Sequence, residues 1–186
     1  MKKIIFFIIP LLTLLSSCNT DSILKFNVVF ESNGGTVIEP ISIENGESIL
    51  EPNVPIYEGH TFLGWYIDST FESVYNFSNP ITTDLNLYAK WEVNKYNVSY
   101  LDFDGEILYS DEFTYLDNLS SINVNSPDRE GYTFSGWDKV IPNLMPANNV
   151  TINAMYTINQ YKIIFDSNEG STVVDVSQEF NSVIQI

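Results

Sequence analysis

Gly59-His60-Thr61-Phe62-Leu63-Gly64-Trp65 returns 72 positions later as Gly131-Tyr132-Thr133-Phe134-Ser135-Gly136-Trp137. Five of the seven positions are identical, and they include both glycines, the phenylalanine and the tryptophan. A match of this kind marks an internal repeat, which has to be settled before any search for a site. Read as an unbroken strand, alternation sends Thr61, Leu63 and Trp65 to one face and Phe62, Gly64 and Tyr66 to the other. Gly64 between aromatic neighbours reads as a place where another backbone or ring comes close. Trp65 and Trp137 are read as core anchors, because small units without disulfides need large buried side chains.

Working outward, Phe26 to Phe30 is rich in β-branched and aromatic residues and reads as a strand. Ser32-Asn33-Gly34-Gly35 supplies the positive φ angles of a tight turn. Thr36 to Ile43 reads as the returning strand, with Pro40 marking an edge or bulge. Pro52 and Pro55 limit any helix in residues 48–58 to one or two turns. Leu85 to Trp91 alternates apolar and polar residues and closes the unit. Trp91, beside the connector 92–95, is placed for packing between units.

The same order follows twice more. Tyr96 to Tyr100 opens a second unit, Asp104-Gly105 replaces the Gly-Gly turn, Glu106 to Tyr115 returns, and Val150 to Tyr156 closes. A third unit opens at Tyr161 to Phe165, with a second strand expected at Thr172 to Val176. No further copy of the Gly/Phe/Trp motif occurs up to Ile186. The expected boundaries are a leader at 1–17, a tether at 18–25, repeat one at 26–92, repeat two at 96–157 and an incomplete repeat three at 161–186. A hairpin without its partner strands exposes edges and an apolar face, so poor packing is expected there.

Composition narrows the function. The chain has 186 residues, 24 acidic against 8 basic, for a formal charge of −16. Phosphate backbones need clustered Lys and Arg, so nucleic-acid binding is excluded. Lys2 and Lys3 precede an apolar run from Ile4 to Leu15, the pattern of a targeting segment too short to span a bilayer. Leu15-Ser16-Ser17-Cys18 resembles a bacterial lipobox. That resemblance implies that Cys18, the sole cysteine, carries diacylglycerol and becomes the mature N-terminus. Two acyl chains hold a protein durably at a bilayer.

Together, the Ser-Asn-Gly-Gly turn, Gly59 to Tyr66 and Leu85-Asn86-Leu87-Tyr88-Ala89-Lys90-Trp91 resemble the Listeria–Bacteroides repeat, also called the internalin B-repeat. Gly131 to Trp137 and Met145 to Thr151 are similar to the same family. The resemblance covers residues 26–156 in full and 161–186 in part. It implies an α+β, β-rich chain of tandem β-grasp-like units, each a small mixed sheet crossed by one short helix. It also implies a bacterial surface protein acting in spacing, adhesion or binding of host or matrix components. Unit two departs from the pattern where Asp138-Lys139 replaces Tyr66, so the two units are not expected to present the same aromatic surface.

Chemistry has little to work with. His60 is the only histidine, its counterpart is Tyr132, and a position that takes either ring reads as packing. One His and one Cys cannot build a zinc or thiol site. Asp102-Phe103-Asp104-Gly105-Glu106 faintly resembles the start of a calcium loop, but Phe113 occupies the twelfth position, and a hairpin turn explains it better. No catalytic residue, metal or cofactor is therefore expected. The expected function is a lipid-anchored spacer or interaction stalk on the outer face of a bacterial membrane. Its rivals are an adhesin gripping a host protein or glycan, and the anchor of a larger surface enzyme continuing beyond 186. Tyr57, Tyr66 and Tyr75 are the surface aromatics open to ligand contact.

Overall fold

The computed structural model describes residues 23–183, so the leader and Cys18 lie outside the described residues. Among the described residues, ten strands form three sheets. Unit one contains β1 (Lys25–Glu31), β2 (Ile41–Glu44), β3 (His60–Tyr66) and β4 (Leu85–Val93) in the order β2-β1-β4-β3. Unit two repeats that order with β5 (Lys95–Leu101), β6 (Ile107–Thr114), β7 (Tyr132–Trp137) and β8 (Val150–Ile158) as β6-β5-β8-β7. The third sheet is the hairpin of β9 (Gln160–Ile163) and β10 (Val176–Glu179). The central pairs β1–β4 and β5–β8 run parallel, and the flanking pairs run antiparallel.

The expected short helix is absent among the described residues, and the fold is all-β. Its place is taken by extended crossovers, 45–59 and 115–131, that join the second strand of each unit to the third. Pro52 and Pro55 remove two amide donors in the first. The second, with three Asn, three Ser and Pro127, offers little helix propensity. Each crossover is instead clamped by two backbone bonds to the loop before the closing strand. Gly46 N donates to Ile81 O and Ile81 N to Glu47 O, each at 2.8 Å; Leu116 N donates to Met145 O and Met145 N to Asp117 O, each at 2.9 Å. The clamp seats Ile49 and Ile81 in one core and Leu119 and Met145 in the other. Val28, Phe30, Trp65, Leu87 and Ala89 complete the first core, and Val98, Tyr100, Val150 and Ile152 the second.

Two strands are shorter or later than expected. β2 spans only Ile41–Glu44, because Thr36 turns away to bond Ile56 through both its amide and its hydroxyl. β10 begins at Val176, where the expected strand ended. The alternation expected for the signature also breaks. The β3–β4 register shifts between Phe62 and Gly64, leaving Leu63 as the extra residue of a bulge, and β7–β8 shifts identically between Phe134 and Gly136. The bulge turns Phe62 to the same core as Trp65, their rings 5.5 Å apart, while Leu63 faces solvent. Gly64 and Gly136 both take φ +131°, a conformation that L side chains rarely adopt. Their glycines serve the bulge and not a close approach, since the nearest atom to a Cβ at Gly64 lies at 3.9 Å and none lies within 4 Å at Gly136.

Candidate functional site

The close approach occurs at the first glycine of the motif. Val93 ends β4 and Lys95 begins β5, so a single residue, Asn94, carries the chain from unit one to unit two. Its amide donates to Gly59 O at 2.8 Å, and its carbonyl accepts from Tyr115 N at 2.9 Å. The Asn94 Oδ1 accepts from the Thr61 hydroxyl, and Nδ2 donates to the Tyr96 hydroxyl at 3.3 Å. Tyr115 of unit two then lays its ring on Gly59 of unit one, where a Cβ would meet ring carbons at 2.2 Å. Partial burial, and then the Glu58 carboxylate of unit one, raise the Tyr115 phenol above its ordinary pKa.

The next junction repeats these contacts. Asn159 alone separates β8 from β9; its amide donates to Gly131 O at 2.8 Å and its carbonyl accepts from Phe180 N at 2.9 Å. Thr133 donates to Asn159 Oδ1 at 2.6 Å, and the Phe180 ring covers Gly131 at 2.0 Å from a Cβ position. Each joint thus consists of a glycine and threonine from one unit, a linking asparagine, and an aromatic ring from the next unit. At the matching place in unit one, Asn45 N bonds Leu24 O, with a polar residue where the aromatic stands elsewhere. The third hairpin is docked through its joint, while Ile164 and Val174 remain 73% and 84% exposed. Its apolar face is open as expected, but the hairpin is seated on unit two.

Beside each joint the signature strand faces an aromatic corner. In unit one Tyr57 stacks on His60 at 3.9 Å and 1°, and Trp91 meets Tyr57 edge-on at 5.5 Å. Trp91 Nε1 donates to Ser32 O at 2.9 Å, which fixes the ring over the Ser32–Gly35 turn of its own unit. The placement of Trp91 between units is thereby corrected: its indole N–H is held by a carbonyl acceptor on a turn of its own unit. In unit two the positions of Tyr57, His60 and Trp91 are taken by Arg129, Tyr132 and Tyr156. The Arg129 guanidinium sits 3.6 Å from the Phe103 centroid and 4.0 Å from that of Tyr132, a cation–π sandwich in place of the Tyr57–His60 stack. The Tyr156 hydroxyl donates to Asp102 Oδ1; desolvation, and then that carboxylate, push its pKa up to about 12.

The remaining sequence candidates fall into this frame. His60 packs against Tyr57 and Tyr115, with Nδ1 2.8 Å from Glu58 O, as expected for a packing residue. Asp102, Asp104 and Glu106 bring carboxylate oxygens within 4.8 Å of one another, yet the segment is a closed turn, with Asp102 N donating to Glu106 O and Gly105 N to Asp102 O. The three tyrosines set aside for ligand contact are all at least half-buried. Tyr57 is stacked, Tyr66 lies against Phe71 and under Lys90, and Tyr75 packs edge-on to Phe77 with a buried hydroxyl that has no partner among the described residues. Trp65 is 1% exposed, whereas Trp137 is only half-buried. Sequence reading missed Asn94, Asn159, Tyr115, Phe180 and Arg129. A signal was available: Tyr115 follows Asn94, and Phe180 follows Asn159, at the same spacing of 21.

These features define a tandem array of small all-β units joined through single residues. Residues 26–90 and 96–155 each match the Listeria-Bacteroides repeat domain, and the chain belongs to that family. Over 169 residues, 86% of this chain, it is 34% identical to a protein of Evansella cellulosilytica named as a Gly-rich membrane protein, and it covers 19% of that relative. It is 33% identical over 168 residues to a second membrane protein so named from the same organism, covering 86% of this chain and 25% of the relative. It is also similar to Internalin H of Listeria monocytogenes, 31% identical over 145 residues, which is 72% of this chain and 25% of that protein. The chain thus spans about a fifth to a quarter of the length of these relatives.

Proposed function

We propose that this chain is a bacterial surface protein anchored through lipid on Cys18, whose repeats are a non-catalytic spacer that holds a partner-binding surface or further domains away from the membrane. The joint is the observation that supports the spacer. A link of one residue, bonded into both units through its own N–H and C=O and covered by a ring, leaves few dihedrals free to flex. Stability of such arrays divides between units and their interfaces, so a well-made interface is what turns beads into a rod. The names of the relatives, membrane proteins and an internalin, support a surface address. The charge of −16 suits an exposed soluble body.

The test is made on bacterial cells expressing the chain with an epitope tag after Ile186. Cys18→Ala should release the protein from the membrane fraction and abolish acyl labelling. Deleting residues 26–157 while keeping Cys18 should bury the epitope from antibody added outside. Unchanged accessibility after that deletion would contradict the spacer, and retained acylation in Cys18→Ala would contradict the anchor.

A further inference from the structure

Unit two is shorter than unit one in one loop, and the difference uncovers a site. Ile81 and Met145 make the same clamp, yet Ile81 lies 16 positions after Trp65 and Met145 only 8 after Trp137. In unit one the extra residues fold back on the outer edge of β3. Tyr75 N donates to Trp65 O at 2.8 Å, Ile67 N to Ser73 O at 3.1 Å, and Val74 bridges Tyr66. The loop is tied by Asp68, whose carboxylate accepts from the amides of Thr70, Glu72 and Ser73. Tyr75 and Phe77, edge-on at 4.9 Å, pack on the core that contains Trp65. Counting back from the clamp, Ile141 matches Phe77, and nothing in unit two stands for the Ser73-Val74-Tyr75 segment that bridges the edge of β3.

A groove of about 500 Å³ is open there, lined by Tyr100, Ile122, Val124, Trp137, Lys139 and Ile141. Among the described residues β7 pairs only with β8, so its outer edge past Trp137 carries no added strand. We propose that this groove and edge form a docking site for an extended, aromatic-bearing segment of another protein. The segment adds main-chain bonds to the outer edge of β7 and lays its ring beside Trp137, as Ser73 to Phe77 does within unit one. Strand addition with a side chain in a pocket is a recurrent mode of peptide recognition. The chain's charge of −16 favours a segment free of carboxylates. The proposal goes beyond the spacer reading and does not depend on the stiffness of the array.

A capped peptide Ser-Val-Tyr-Asn-Phe, the sequence of residues 73–77, is titrated into the full chain carrying Cys18→Ser. The indole N–H resonances of Trp65, Trp91 and Trp137 report the site. The expected result is a saturable shift of the Trp137 resonance alone, at a Kd below about 1 mM. A peptide with Ala for Tyr and Phe should bind roughly tenfold or more weakly. Two variants should lose binding: one with residues 66–80 grafted in place of 138–144, which closes the groove from within, and Asn123→Trp, at an exposed residue that also lines the groove. No saturable shift, equal binding of the alanine peptide, or undiminished binding to the folded Asn123→Trp protein would overturn the proposal. So would a shift of Trp137 by neutral oligosaccharides with none by the peptide, which would assign the groove to glycans.

Discussion

Gly59→Ala probes the joint with a built-in control at Gly46. Both glycines have positive φ, +70° and +87°, so an alanine at either bears a left-handed strain of about 1–2 kcal/mol. They differ in what the new methyl meets. At Gly46 nothing lies within 4 Å, while at Gly59 three Tyr115 ring carbons lie at 2.2, 2.3 and 2.6 Å. Tyr115 cannot stay in place, and overpacking of this kind costs about a further 1–3 kcal/mol. Gly46→Ala should therefore destabilise by about 1–2 kcal/mol and Gly59→Ala by about 2–5 kcal/mol. Adding Tyr115→Ala removes the obstructing ring, so the double variant should lose less than the sum of the singles by about 1–3 kcal/mol. Urea unfolding followed by tryptophan fluorescence measures the parent and the four variants. Equal costs at Gly46 and Gly59, or strict additivity with Tyr115→Ala, would refute the reasoning.

Two further outcomes follow from the aromatic corner of unit two. Arg129→Lys should destabilise unit two by about 0.5–2 kcal/mol, because a compact ammonium does not replace a planar guanidinium between Phe103 and Tyr132; chemical denaturation of the two proteins measures it. The Tyr156 phenol, raised to about 12 when folded against about 10 when unfolded, contributes stability that is present below pH 10 and lost as pH rises toward 12. Tyr156→Phe should flatten that alkaline loss in a thermal-unfolding series, and an unchanged alkaline limb would remove Tyr156 as its source.

Local chemistry explains what sequence made legible. The Gly/Phe/Trp heptad, the turn glycines and the β-branched runs each specify their own conformation, so the repeat organisation and the strand positions other than those of β2 and β10 followed from neighbours along the chain. The helix implied by resemblance did not form, and Pro52 and Pro55 already argued against a long one. The bulge escaped because alternation assumes an unbroken strand, although a glycine at the same place in both copies, Gly64 and Gly136, was its mark. The joint escaped because Gly59 and Tyr115 are 56 positions apart and meet only when two units are stacked. The first glycine of the opening motif is thus explained by the following unit, and the second by its own. The Trp137 groove is visible only as a difference in loop length, which acquires meaning once unit one shows what the longer loop covers.

The central claim is that the joint holds successive units in one relative orientation. Spin labels at the exposed positions Ser78 and Ser126, introduced as cysteines in the Cys18→Ser chain, report the distance between units by pulsed dipolar spectroscopy. A single narrow distribution that broadens in Tyr115→Ala is the predicted result. A broad distribution in the parent protein, or one that Tyr115→Ala leaves unchanged, would contradict the account.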